Sequence, residues 1–264
     1  MKRWSLFILT ILFFLTVSCV NISDEVSDEE KSETIGIMSA MDVELDYLLS
    51  KAKISHVKEI GGNTFHIGTL DGHKIVLVKA GVGKTLSAAC TAIMLNEFDI
   101  SKLIFTGVAG GVSDDVNITD VVIATSLMFH DYGYLNQDGI VELDSDFVPK
   151  VFLNSDKSLV DLAYKAAVDI VGKNKVFKGL IVTGDQFVAN SSYVEYLDKE
   201  LGAKAVEMEG ASVAYVASKY NVPFVVVRSL SDKADGLSHE QYENWYQIVA
   251  DNSGKIVFEL IKNL

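Results

Sequence analysis

From Ile35 to the C-terminus, short runs of Val, Ile and Leu alternate with longer amphipathic stretches. The runs at 35–39, 102–107, 121–124, 176–183 and 224–229 are apolar with little alternation, the pattern of strands covered on both faces. The runs at 64–70 and 74–79 flank Asp71-Gly72 and predict a hairpin, and Gly61-Gly62 marks a second turn. Apolar spacings of three and four predict helices at 43–50, 84–97, 157–171, 191–200, 208–220 and 239–262. Strands interleaved with helices predict a single three-layer α/β/α domain over 35–264, built on a mixed, mostly parallel central sheet. Neither a repeat nor a linker interrupts it.

Ahead of this domain the pattern changes twice. Lys2 and Arg3 precede an apolar stretch over 5–18 that is short for a bilayer span, so residues 1–18 read as a signal peptide. Cys19 follows Ser18 directly, and this junction resembles the bacterial lipoprotein signal, which implies acylation at Cys19 and an exported, membrane-anchored protein. Residues 19–34 are polar and acidic with no apolar period, as expected of a solvated tether. The only other cysteine, Cys90, falls in an Ala-rich helical pattern and is expected to be a buried thiol rather than half of a disulfide. A formal net charge of −13 disfavours nucleic acid and anionic glycans as partners, because both are bound through Lys and Arg that release counterions.

In open α/β sheets, ligands bind beyond the carboxyl ends of the strands. Four such segments carry chemistry: Ser39-Ala40-Met41-Asp42-Val43-Glu44, Thr106-Gly107-Val108-Ala109-Gly110-Gly111, Thr183-Gly184-Asp185-Gln186-Phe187-Val188, and Arg228-Ser229-Leu230-Ser231-Asp232. Taken singly, each acid also has an ordinary role: Asp232 as a helix cap, Glu44 as a helix first-turn charge. Arg228 alone could be an ion-pair partner, and Phe187 alone a core residue.

Together with Ala205-Val206-Glu207-Met208-Glu209-Gly210 and the GVGK stretch at 81–84, these motifs stand in the order that resembles the nucleoside phosphorylase superfamily. Within it, they resemble the methylthioadenosine/S-adenosylhomocysteine nucleosidases. The resemblance spans about Ile35 to the C-terminus. It implies hydrolysis of the N-glycosidic bond of 5′-methylthioadenosine, S-adenosylhomocysteine and 5′-deoxyadenosine, without metal or organic cofactor, by a homodimer. Breaking such a bond calls for an acid at the departing purine and a base for the attacking water. The resemblance gives these roles to Asp232, acting on adenine N7, and to Glu44, with Arg228 helping to hold Glu44 and the water. It places Glu209 on the ribose hydroxyls, Met208 against the sugar, Glu207 in support, and Phe187 and the Val188 backbone at the adenine. Val108, Ala109 and Gly110 form the wall beneath the ligand, and Ser231 lies beside the acid. Val108 stands where the family commonly has Ser, so one polar contact is expected to be missing.

Other signals are weaker. TGVAGG lacks dinucleotide-binding spacing and GVGK lacks the Walker register. His130 and Asp131 are candidates for the rim of the site or a dimer surface, whereas His56, His66, His73 and His239 show no metal spacing. Tyr242, Trp245 and Tyr246 read as packing residues. Two alternatives stay open: an enzyme of the same fold with another acceptor or substrate, such as a phosphorylase or an AMP-type nucleosidase, and a surface lipoprotein whose enzyme fold serves as a binding module.

Overall fold

The computed structural model describes residues 34–137, 141–142 and 151–264, so the leader, Cys19 and the acidic tether lie outside the described residues. In chain order the elements are β1 (Thr34–Ser39), α1 (Asp42–Lys51), β2 (Lys53–Ile60), β3 (Asn63–Leu70), β4 (His73–Lys79) and α2 (Lys84–Glu97). β5 (Ile100–Gly111), β6 (Val121–Phe129) and the short strands β7 (Tyr134–Leu135), β8 (Val141–Glu142) and β9 (Leu153–Asn154) follow. The chain continues with α3 (Lys157–Val171), β10 (Val176–Thr183), α4 (Ser191–Lys199), β11 (Ala203–Glu207), α5 (Gly210–Lys219), β12 (Phe224–Asp232) and α6 (Ser238–Lys262).

The main sheet runs β11-β10-β6-β12-β5-β1-β4-β3-β2. Pairing is parallel for β1 with β4 and β5, for β5 with β12 and for β10 with β6 and β11, and antiparallel for β12 with β6 and for β2-β3-β4. The sheet is thus mixed and mostly parallel through its centre, as the unbroken Val/Ile runs require. One face packs against α1, α3 and α6 through Ile35, Ile37, Leu45, Leu48, Val225, Val227, Ile256 and Leu260. The other packs against α2 and α5 through Met38, Phe105, Cys90, Met94, Val213 and Val226.

Besides the short strands β7, β8, β9 and β11, which no run predicted, two features depart from the sequence expectation. β2 was not predicted, because KISHVKEI is a sheet edge that stays exposed along most of its length and so carries no apolar period. β5 continues to Gly111, so TGVAGG is the end of a strand rather than a loop after one. The extension has a consequence: β11 pairs antiparallel with it, Ala205 opposite Gly111 and Val206 opposite Gly110. One half of the sheet therefore curls back on itself through β5, β12, β6, β10 and β11, and the ends of β5, β11 and β12 converge.

Candidate active site

A cavity of about 280 Å³ opens where those strand ends meet. Glu44 is the third residue of α1, and its Oε2 accepts the N–H of Met41 at 2.8 Å and of Ala40 at 2.9 Å, turning back on the uncapped start of its own helix. Its Oε1 accepts the N–H of Val108, 2.9 Å away on β5. The side chain is buried, and burial pushes its pKa up, opposed by Arg228 and by the three amides.

Arg228 lies behind the cavity wall, fully buried, with its guanidinium 4.3 Å from the Phe105 ring centroid. Arg228 was expected to help hold Glu44 and the water; its Nη2 donates instead to Glu207 and, at 3.4 Å, to Glu209, and no hydrogen bond joins it to Glu44 among the described residues. Nε and Nη1 have no hydrogen-bond partner among the described residues. Nη1 nonetheless stays near Glu44, since a Cβ on Gly107 would collide with both. The interaction with Glu44 is thus electrostatic and not a hydrogen bond, and the two acids from β11 and the start of α5 take Nη2 alone.

Glu207 ends β11, and its carboxylate is used by protein groups: Arg228, the Thr183 hydroxyl, and the N–H groups of Gly210 at 2.7 Å and Glu209 at 3.1 Å. An acid at this helix start satisfies free amides and the positive end of the dipole. Glu209 is the N-cap of α5, and its Oε1 accepts the Gly83 N–H at 2.8 Å. Burial and the adjacent Glu207 push its pKa up to about 8, against the pull of Arg228. The GVGK segment thus reaches the site through a backbone amide from Gly83, held at φ +99°, where glycine is favoured. Lys84 turns away to Asp131, 2.6 Å from each carboxylate oxygen.

Asp232 closes β12 and is buried. It accepts from the Ser231 hydroxyl and from the Ala234 N–H, each at 2.8 Å, the second made possible by a left-handed Ala234 at φ +54°. Burial raises its pKa, only partly offset by Ser231 and the other donors. Gly110 was expected to let the backbone approach a ligand. It does line the cavity, but a Cβ there would sit 2.9 Å from Asp232 Oδ1, so the missing side chain makes room for the acid.

The same cavity is lined by Val108, Ala109, Met208, Phe187, Val188 and Ser231, which the sequence singles out, and by residues it did not: Met41, Val82, Gln186, His239, Tyr242 and Glu243. Tyr242 is corrected from packing to lining: its ring meets Phe187 edge-on at 5.9 Å, and its hydroxyl donates to Met41 Sδ at 3.4 Å. The signal was its place three residues after His239 on one helix face, which no strand-end rule detects. His130 is corrected from the rim to the interior: it is fully buried, 2.8 Å from the Tyr193 hydroxyl, beneath Gly184. Cys90 is a buried free thiol whose pKa burial pushes up to about 12.

Comparison with known proteins gives the family of this fold. The profile of the phosphorylase superfamily matches residues 34–262. A 5′-methylthioadenosine/S-adenosylhomocysteine nucleosidase of Psychromonas ingrahamii is 37% identical over 231 residues, covering 87% of this chain and 99% of the relative. An aminodeoxyfutalosine nucleosidase of Helicobacter pylori is 34% identical over 235 residues, covering 88% of this chain and 100% of the relative. The structure of the Neisseria meningitidis methylthioadenosine/S-adenosylhomocysteine nucleosidase with methylthio-immucillin-A aligns with a TM-score of 0.79 at 34% identity, covering 88% of this chain and 100% of that one.

Proposed function

The chain belongs to the phosphorylase superfamily, and on that premise we propose that it is a purine nucleosidase that hydrolyses 5′-methylthioadenosine and S-adenosylhomocysteine to adenine and the corresponding thioribose, with 5′-deoxyadenosine as a further substrate. The observation that carries the reading is the pairing of two buried carboxyl groups on one cavity, Glu44 ringed by donors and Asp232 with no cation among its described partners. Water bound at Glu44 attacks the anomeric carbon while giving its proton to the carboxylate. The C–N bond breaks with its electron pair going to the purine, and Asp232 supplies a proton at N7. Glu209 accepts the ribose hydroxyls, Phe187 and Met208 cover the base and sugar, and Arg228 offers its spare donors beside Glu44.

The choice of water over phosphate rests on the charge of the cavity. Among the described residues its lining holds Glu44, Glu207, Glu209, Asp232 and Glu243 but no Lys or Arg, and Lys84 is engaged by Asp131. A phosphate dianion would meet more acids there than the buried guanidinium of Arg228, already paired with Glu207 and Glu209, can offset. Adenine release from methylthioadenosine in phosphate-free, metal-free buffer is the test. Obligatory phosphate with accumulation of a thioribose 1-phosphate would overturn it, and binding without turnover would favour the binding-module alternative.

The proposal extends to a homodimer and to a lipid anchor at Cys19 on an exported protein. The apolar stretch from Val108 onward is spent in β5 and β6, so the support for a dimer shifts to exposed Tyr132 and Tyr134, with Val82 and Leu86 across the Lys84–Asp131 contact. Sedimentation of the form starting after Cys19, and acyl labelling of wild type against Cys19→Ala, check the two.

A further inference from the structure

Resting on the nucleosidase reading, we propose that His239 and Glu243 form a recognition site for a zwitterionic α-amino-acid group carried on the 5′ thioether of the nucleoside. The cavity lining divides by chemistry. Its deep part holds Glu44, Glu207, Glu209 and Asp232, which the proposed reaction accounts for. More exposed than these acids is an apolar collar of Met41, Val82 and Phe187 with the Tyr242 ring, the surroundings a thioether fits. Two polar lining residues of α6, His239 and Glu243, are absorbed by neither part.

His239 and Glu243 are four residues apart on α6, so their side chains project from the same helix face, with Tyr242 beside them. Both are exposed, and among the described residues neither makes a salt bridge or side-chain hydrogen bond, which leaves their donors and acceptors to a ligand. A methyl thioether ends within the collar and gives them nothing to bind. A thioether ending in an α-amino acid extends further and brings an ammonium and a carboxylate. The ammonium suits Glu243. The carboxylate is repelled by the acids of the deep cavity and needs a donor at the mouth, which the His239 imidazole provides. The pair thus separates two substrates that share every other contact.

The test uses the full folded domain and four nucleosides: methylthioadenosine, S-adenosylhomocysteine, and two trimmed thioethers that keep only the ammonium or only the carboxylate. Rates are measured for wild type, Glu243→Gln, His239→Asn and the control Glu240→Gln, which lies in the same turn but does not line the cavity. Glu243→Gln is expected to lower kcat/KM for the ammonium-bearing substrates relative to methylthioadenosine by about two- to fivefold, the size an exposed ion pair delivers, mainly through KM. His239→Asn should do the same for the carboxylate-bearing ones, while Glu240→Gln keeps the wild-type ratio. Identical substrate ratios in all four proteins, or an equal loss on methylthioadenosine and S-adenosylhomocysteine, would overturn the proposal. Wild type that releases no adenine from any of the four overturns the nucleosidase reading itself, an outcome distinct from unchanged ratios among active variants.

Discussion

At one corner of the cavity Glu44 accepts three backbone N–H groups and lies in the field of Arg228, whereas at the other Asp232 has the hydroxyls of Ser231 and Ser238, one amide and no cation among its described partners. Both carboxyls are buried, and burial raises both pKa values. The difference is in what opposes the rise. Donors and a guanidinium favour the ionised form of Glu44, as a base requires; Asp232 has less to hold its charge and is suited to keep a proton for the leaving purine. Two residues of the same chemical type are thus set to opposite tasks by their neighbours.

Exchanging the acids for amides breaks the comparison most severely. Asp232→Asn and Glu44→Gln should each lower kcat by at least about 10²–10⁴-fold while leaving substrate binding largely in place, since stacking on Phe187 and contacts to Glu209 are untouched. Wild-type kcat/KM should fall at low pH as Glu44 gains a proton and at high pH as Asp232 loses one. The alkaline limb alone should vanish in the residual activity of Asp232→Asn. If that limb persists at the wild-type midpoint, Asp232 is not the acid.

A smaller perturbation keeps both acids and shifts one. In Gly110→Ala, the added methyl would stand 2.9 Å from Asp232 Oδ1 and 3.0 Å from Ala234 Cβ, contacts that force the acid corner to move. A displacement of the order of an ångström should reduce kcat by up to about 10²-fold with little change in thermal stability. Wild-type turnover in this variant would show that the acid corner tolerates displacement.

The smallest effect concerns Glu209, which adjoins the Glu44 corner. Its raised pKa means that the folded protein retains a proton that the unfolded chain releases, so its contribution to stability is greatest at low pH and declines as pH rises toward about 8. Glu209→Gln removes this dependence. The Tm of the variant relative to wild type should therefore increase between about pH 5 and pH 8. A difference that is constant or decreasing across that range would mean that Arg228 keeps Glu209 ionised throughout.

Much of this was legible before the fold. The helices at Lys84–Glu97 and Lys157–Val171 and the strand at Val176–Thr183 fall where their apolar periods place them, because burial on one face or two leaves a local trace in the sequence. Glu44, Glu209 and Asp232 stood out from strand ends and motif order, and all three line the cavity. β2 left no such trace, since an edge strand exposed along most of its length has no period to read. Tyr242 also escaped, because an aromatic on an amphipathic helix has the same pattern whether it faces a core or a cavity.

The sequence by itself determined the order of the elements and the stock of acids, donors and aromatics, which depend on local spacing and side-chain type. Which group meets which was decided only when β11 curled back against the end of β5, placing Val206 opposite Gly110. That pairing joins segments far apart in the chain, and it brings Glu207 and Glu209 to Arg228 while Glu44 is left to backbone amides. It also turns the glycines of β5 into space for Glu44, Arg228 and Asp232. Contacts of this kind arise from sheet curvature and long-range register, and no periodicity within either segment encodes them.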